Sequence, residues 1–181
     1  QKMIRARSAV PINIEADDAA GAAERARIGQ ESYDLNVQQF CCAGLNFGYY
    51  YSGSPVMVPD GEAPPAYTMG GFTPSTVPGC RAPHFWLADG RSLYDAFGPG
   101  YTLLRLDAQA DAAHAHGMPL VVLDVRSRDG VPEVYRHKLV LCRADQHVVW
   151  RGDALPADSG ALVAVLCGAG PDAGSRTQQV L

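Results

Sequence analysis

The sequence predicts an α/β fold, and three observations predict it. Between Tyr101 and Val125 an apolar strand pattern, a helix pattern and a second apolar strand pattern follow one another within about 25 residues, the order of a right-handed βαβ unit. The stretch VLCRADQHVVWRG, residues 140–152, then reads as two strands around a polar turn. A capped apolar helix, ALVAVLC, follows and stops at Gly168. Strand, helix, strand, hairpin, helix is the order of a thioredoxin-like domain, here without a CxxC motif and preceded by a helix and an extended arm.

In chain order, residues 15–30 are rich in Ala, Glu and Arg, start with acidic residues and predict a helix exposed on one side. From Phe40 to Val58 aromatic and β-branched residues are broken by Gly and Ser, which predicts short strands closed by the Pro59-Asp60-Gly61 turn. Residues 62–83 are rich in Pro and Gly and predict an ordered linker or wrapping arm, because proline excludes packed helix and central strand. His84 to Leu87 reads as a short strand, Asp89-Gly90 as a turn, and Ser92 to Phe97 as a short helix capped by Gly98.

Tyr101 to Leu106 reads as a buried strand and Ala108 to His116 as a helix ended by Gly117. Met118 to Val125 is nearly all apolar, as in a sheet covered on both faces. Leu139 to Cys142 and His147 to Arg151 form the hairpin around Arg143 to Gln146, and Asp158 or Ser159 caps the last helix. The expected organisation is a connecting region at 1–76, a thioredoxin-like C-terminal domain at 77–170 and a flexible tail at 171–181.

Composition bounds the function. A chain of 181 residues, 47% hydrophobic, can bury one sizeable core. Fifteen basic against nineteen acidic residues, net charge −4, with no run of one sign, argue against nucleic acid or an anionic membrane surface as partners. No apolar run approaches the roughly 20 residues that span a bilayer, and QKMIRARSAV lacks the core of a signal peptide, so a cytoplasmic location is expected. Cys41, Cys42, Cys80, Cys142 and Cys167 have no metal-like spacing and read as reduced, mostly buried thiols. A chain opening on Gln1, in a helix-like stretch with no cap before it, suggests a cut boundary and a longer parent.

The candidate motifs read as structural. Gly168-Ala-Gly170-Pro-Asp-Ala173 matches a dinucleotide fingerprint, but only eight residues follow, too few for the helix and ribose-binding acid such a site needs. His114 and His116 lie two apart on a predicted helix and point to different sides. The junction Leu106-Asp107-Ala108-Gln109-Ala110 holds no cysteine where a thioredoxin-type nucleophile would stand, and adjacent Cys41-Cys42 pair only with strain. His147 reads as a satisfied structural histidine, while His84, Trp86 and Trp150 read as packing groups. Asp89-Gly90-Arg91 reads as a tight turn with an exposed Arg. Alternating exposure along a strand accounts for Tyr49, Tyr50 and Tyr51, with stacking on an aromatic ligand as the alternative.

Two segments, GLNFGYYYSGSPVMVPDG at 44–61 and PGCRAPHFWLADGRSLYDAFGPGYTLLRLD at 78–107, resemble the C-terminal region of FAD-dependent aromatic hydroxylases. That group includes phenol hydroxylase, 2,4-dichlorophenol monooxygenase, hydroxyphenylpropionate hydroxylase and polyketide-tailoring oxygenases. DQHVVWRGDALP, residues 145–156, is similar to the same family's closing hairpin. Tyr50 departs from the pattern, since many relatives carry Arg before the last aromatic of that segment.

The resemblance implies a parent that uses FAD and NAD(P)H to hydroxylate phenolic or aromatic substrates, its flavin chemistry housed in a preceding domain. It implies no catalytic, cofactor-binding or metal-binding residue in this chain. The expected partners are the flavin-binding domain of the same parent and a second subunit in a homo-oligomer, with neither nucleic acid nor membrane. The alternatives are a stand-alone oligomerisation or interaction module, a thiol enzyme, and a domain that only stabilises its neighbour.

Overall fold

The computed structural model describes residues 10–106, 117–126 and 129–169. The predicted helix at 108–116 with His114 and His116, most of the junction after Leu106, and the tail at 171–181 lie outside the described residues. The described elements are α1 (Ala19–Phe40), α2 (Ala43–Phe47), a 3₁₀ turn (Tyr94–Ala96), β1 (Tyr101–Leu106), β2 (Leu120–Val125), β3 (Leu139–Arg143), β4 (Val148–Gly152) and α3 (Ser159–Leu166). The chain packs as two units: Gln1–Phe47 with Tyr67–Phe72, and Gly48–Ala66 with Thr73–Leu181.

In the first unit, Asp18 caps α1 by accepting from the Gly21 N–H at 2.7 Å. The helix runs on to Phe40, ten residues past the expected end, because nothing between Gly29 and Phe40 breaks it. The strands expected from Phe40 onward give way to α2 at this point. Gly44 is the reason: a Cβ there would lie 1.7 Å from the Thr68 carbonyl oxygen, and the Leu45 N–H donates to the Met69 carbonyl at 3.2 Å. A backbone contact with residues far along the chain overrides the β-like composition.

The second unit is a mixed α/β structure around a four-stranded sheet of order β2-β1-β3-β4. β1 runs parallel to β2, with Tyr101 opposite Leu120, and antiparallel to β3, with Tyr101 opposite Arg143. β3 and β4 form the hairpin, with a register shift at Leu141 and Cys142. Alternation splits the core between the two faces. Leu104, Val140, Cys142 and Val148 pack with Ala82, Phe85, Leu93 and Tyr135; Leu103, Leu139, Leu141 and Val149 pack with Met57, Met118 and Leu166.

β2 lies at the edge, and Val121 and Val122 are 39% and 38% exposed, so the expectation of a strand covered on both faces does not hold. Its apolar run is that of a parallel strand, but with one neighbour instead of two. The Pro/Gly-rich stretch also departs from a simple arm. Residues 75–77, 79, 80 and 82 are buried, and their backbone continues the sheet beyond β4. The Gly79 N–H donates to Val148 O at 2.7 Å, and the Val148 and Ala82 N–H groups donate to Cys80 O and Gln146 O. Pro78 and Pro83 flank this ladder, where no N–H is required.

α3 begins at Asp158, whose carboxylate accepts from the Ala161 N–H at 2.8 Å. It ends in the pair Gly168 N–H to Val165 O and Ala169 N–H to Ala164 O, with Gly168 at φ +80°. That is a Schellman closure, and it gives the late Gly168 a local structural role.

Candidate functional site

The most organised polar and aromatic cluster of the second unit lies at the hairpin turn. Gln146, at φ +70°, is the one non-glycine residue in the left-handed region among those described. It closes the turn by donating its N–H to Arg143 O at 2.9 Å. Its side chain accepts from the Arg81 guanidinium, which also lies 5.1 Å from the centre of the Tyr94 ring. Next to it, His147 is fully buried.

The ring of His147 is fixed by one bond. Nδ1 lies 2.9 Å from the Asp145 carbonyl oxygen, and a carbonyl only accepts, so the proton sits on Nδ1. Nε2 is then a bare acceptor, buried without a partner among the described residues. Sequence reasoning expects a satisfied histidine; the structure satisfies half of it, since the tight turn supplies a carbonyl to one nitrogen only. Burial pushes the imidazole pKa below its ordinary value, against the pull of Asp145 and with the help of Arg81 and Arg143.

Tyr49 and Tyr51 pack on that imidazole, with ring centres at 5.0 and 4.6 Å. Alternation along an extended segment puts both on one side and Tyr50 on the other, while the Tyr50 backbone forms an isolated antiparallel bridge with Cys80. The Tyr51 hydroxyl donates to Asp145 Oδ2 at 3.2 Å, its N–H donates to Gly79 O at 3.0 Å, and Arg143 lies 5.8 Å from its ring centre. Gly79, at φ +100°, admits this contact, because a Cβ would stand 2.5 Å from Tyr51 O. The three tyrosines thus act as a strap over the hairpin turn.

A second cluster had no signal in the sequence. The Arg151 side chain is 2% exposed. Its guanidinium donates to Asp60 Oδ2 at 2.6 Å, Thr76 Oγ1 at 2.9 Å and Glu62 Oε2 at 2.5 Å. Partners 75 to 91 residues apart are found only by folding. The Arg151 bond holds the Asp60 carboxyl below its usual pKa against the opposing effect of burial.

The remaining candidates are dispersed. His84 packs on Trp86 and Tyr94, with ring centres 5.0 and 5.1 Å apart, and its Nε2 lies 2.9 Å from Ser92 Oγ. Both His84 and Trp86 are exposed, so the packing holds and the burial does not. They sit on a short excursion of the chain held by one isolated bridge, Trp86 to Ser92, instead of a strand. Trp150 packs half-buried beside Leu141 and Val149. Asp89-Gly90-Arg91 forms the expected turn, with Gly90 at φ +84° and an exposed Arg91 paired with Asp89 at 2.7 Å. None of the five cysteines forms a disulfide, and only Cys80 and Cys142 are buried, which corrects the expectation that most are. Burial raises the pKa of both, the opposite of an activated nucleophile.

Among the described residues no three His, Cys, Asp or Glu side chains could hold one metal ion, and no helix is long and apolar enough to cross a membrane. A cavity of about 180 Å³ lies among Tyr50, Ser52, Met57, Glu62, Val77 and Pro78. It is smaller than the roughly 300 Å³ at which ligand pockets begin. Its charged wall is the Glu62 carboxylate, which repels phosphates. These residues do not fit a dinucleotide cofactor.

Residues 75–168, which contain the four strands and α3, match the family described as aromatic-ring hydroxylase, C-terminal. An FAD-dependent monooxygenase of Penicillium oxalicum, opdD, is 31% identical over 93% of this chain and 34% of its own length. Phenol 2-monooxygenase of a Pseudomonas species is 31% identical over 81% of the chain and 27% of its own length. Among solved structures, RebC soaked with chromopyrrolic acid and carrying 7-carboxy-K252c superposes with a TM-score of 0.69 at 30% identity. That match covers 93% of this chain and 33% of RebC. The chain spans about a third of the length of these relatives, and it belongs to the aromatic-ring hydroxylase family as a C-terminal region.

Proposed function

We propose that this aromatic-ring hydroxylase C-terminal region is the supporting part of an FAD- and NAD(P)H-dependent monooxygenase that hydroxylates phenolic or aromatic substrates, and that it performs no catalysis alone. One observation carries this: the chain covers only 34% of an FAD-dependent monooxygenase and 27% of a phenol 2-monooxygenase that it resembles. In this reading FAD and substrate are held by a flavin-binding domain of the same parent, and the chain contributes contacts to that domain and to a second subunit, in the cytoplasm.

The finer fold reading is thioredoxin-like. The order β2-β1-β3-β4, with β1 and β2 parallel, β3 and β4 a hairpin and α3 following, supports it. The first unit supports the docking role: it leaves Tyr33, Phe40, Tyr67 and Met69 exposed, an apolar surface that a neighbouring domain would cover.

The test is direct. The purified chain should be colourless, show no flavin absorption after incubation with FAD, and oxidise neither NADH nor NADPH in the presence of phenol. Stoichiometric flavin retention with phenol-dependent NAD(P)H oxidation would overturn the reading. Light scattering checks the subunit contact, for which a dimer is expected.

A further inference from the structure

We propose that His147 is an acid-sensitive latch: its neutral ring holds the Tyr49–Tyr51 strap on the hairpin turn, and protonation releases residues 48–54. The geometry carries the argument. With Nδ1–H committed to the Asp145 carbonyl, an added proton can go only to Nε2. That nitrogen is buried and has no partner among the described residues. Protonation therefore creates, in one step, a buried charge and a buried donor without an acceptor, each costly unless the ring reaches water. The two tyrosines whose rings pack, tilted, against the imidazole are 42% and 40% exposed, so displacing them is the short route to solvent.

The groups facing the imidazole from each surrounding element are few. From the hairpin come Asp145, whose Oδ1 is 3.6 Å from Nδ1, and Arg143. From the ladder at 79–82 comes Arg81, and from the strap come the phenols of Tyr49 and Tyr51. The neighbouring thiols of Cys80 and Cys142 are held protonated by burial. Burial and the two arginines oppose an imidazolium, whereas Asp145 favours it.

Asp145 is also the acceptor for the Tyr51 hydroxyl. If the imidazolium turns to the Asp145 carboxylate, it competes for that acceptor and loosens the strap by the same motion. The sign follows from the lowered folded-state pKa: the latch is closed above the ordinary histidine value of about 6.5 and loses its hold as pH falls toward the folded value.

Hydrogen exchange on this chain, corrected for the intrinsic pH dependence of exchange, reads the latch at the Tyr51 amide, which donates to Gly79 O. Between pH 7.5 and 5.0 its protection factor should fall at least about tenfold, the equivalent of one pKa unit. The Val58 amide, which donates to Val149 O beside the Arg151 cluster, should keep its protection. In His147→Phe, which stacks but does not titrate, Tyr51 protection should not change with pH. A flat wild-type profile, an equal fall at Val58, or the same fall in His147→Phe overturns the proposal. If that variant fails to fold, an NMR titration of the wild-type imidazole decides: a midpoint clearly below 6.5 supports the latch, and one at or above 6.5 overturns it.

Discussion

The two units of this chain use apolar residues in opposite ways. The second buries every large hydrophobic side chain that is buried at all among the described residues, from Met57 to Leu166. The first, with a 22-residue helix, buries only Gly21 and Gly44 among its described residues and leaves Tyr33, Phe40, Leu45, Tyr67 and Met69 open to solvent. Helix length therefore says little about stability. A helix alone is marginal in water, and tertiary packing of an apolar face is what holds it. The second unit has the makings of an independent domain, and the first has those of a surface that needs cover.

That contrast can be broken by cutting into each unit. The largest effect is expected at the centre of the sheet: Leu104→Ala, at a fully buried position, should cost about 2–5 kcal/mol in urea unfolding. A cost under 1 kcal/mol would mean that the sheet is not the stable body of the chain. Arg151→Ala should come next, at about 2–3 kcal/mol, below the usual range for a broken buried pair because Asp60 and Glu62 are partly solvated. The Asp60 carboxyl titrates low in the folded chain, so its contribution is full above about pH 4 and is lost as pH falls through the folded value. Arg151→Ala should flatten that acid limb of the stability curve.

Gly44→Ala tests the first unit by itself, since the new methyl would strike the Thr68 carbonyl oxygen. It should cost about 1–3 kcal/mol of local stability. The effect should appear as faster exchange at the Leu45 amide, with the unfolding midpoint of the second unit unchanged. Asp158→Ala should remove about 1 kcal/mol by uncapping α3. Phe40→Ala should be the smallest, within about 0.5 kcal/mol, because the ring is 76% exposed. A loss as large as that of Leu104→Ala would show that the first unit has a core after all and would erase the comparison.

Between β1 and α3 the sequence was readable because the signals are local. Tyr101 to Leu106 appears as a strand with the expected limits, the hairpin forms around Arg143 to Gln146, and Asp158 and Gly168 bound the last helix. Caps and positive-φ glycines act within one turn of chain and leave their mark in neighbouring letters. α2 was not readable, because its cause is the approach of Gly44 to residues 68–71. The tyrosine strap is half readable: the alternation is visible in the sequence, whereas the histidine beneath it reads there as a satisfied structural one.

By itself, then, the sequence determined the order of β1, β2, the hairpin and α3, and the turn at Asp89-Gly90. Each depends on contacts a few residues apart or on residue identity alone. Tertiary structure decided which strand became an edge, that Trp86 faces water, that Arg151 gathers Asp60, Glu62 and Thr76, and that His147 keeps one nitrogen without a partner. These depend on burial and on pairings between distant residues, which are settled only when the apolar faces of the sheet have found their cover.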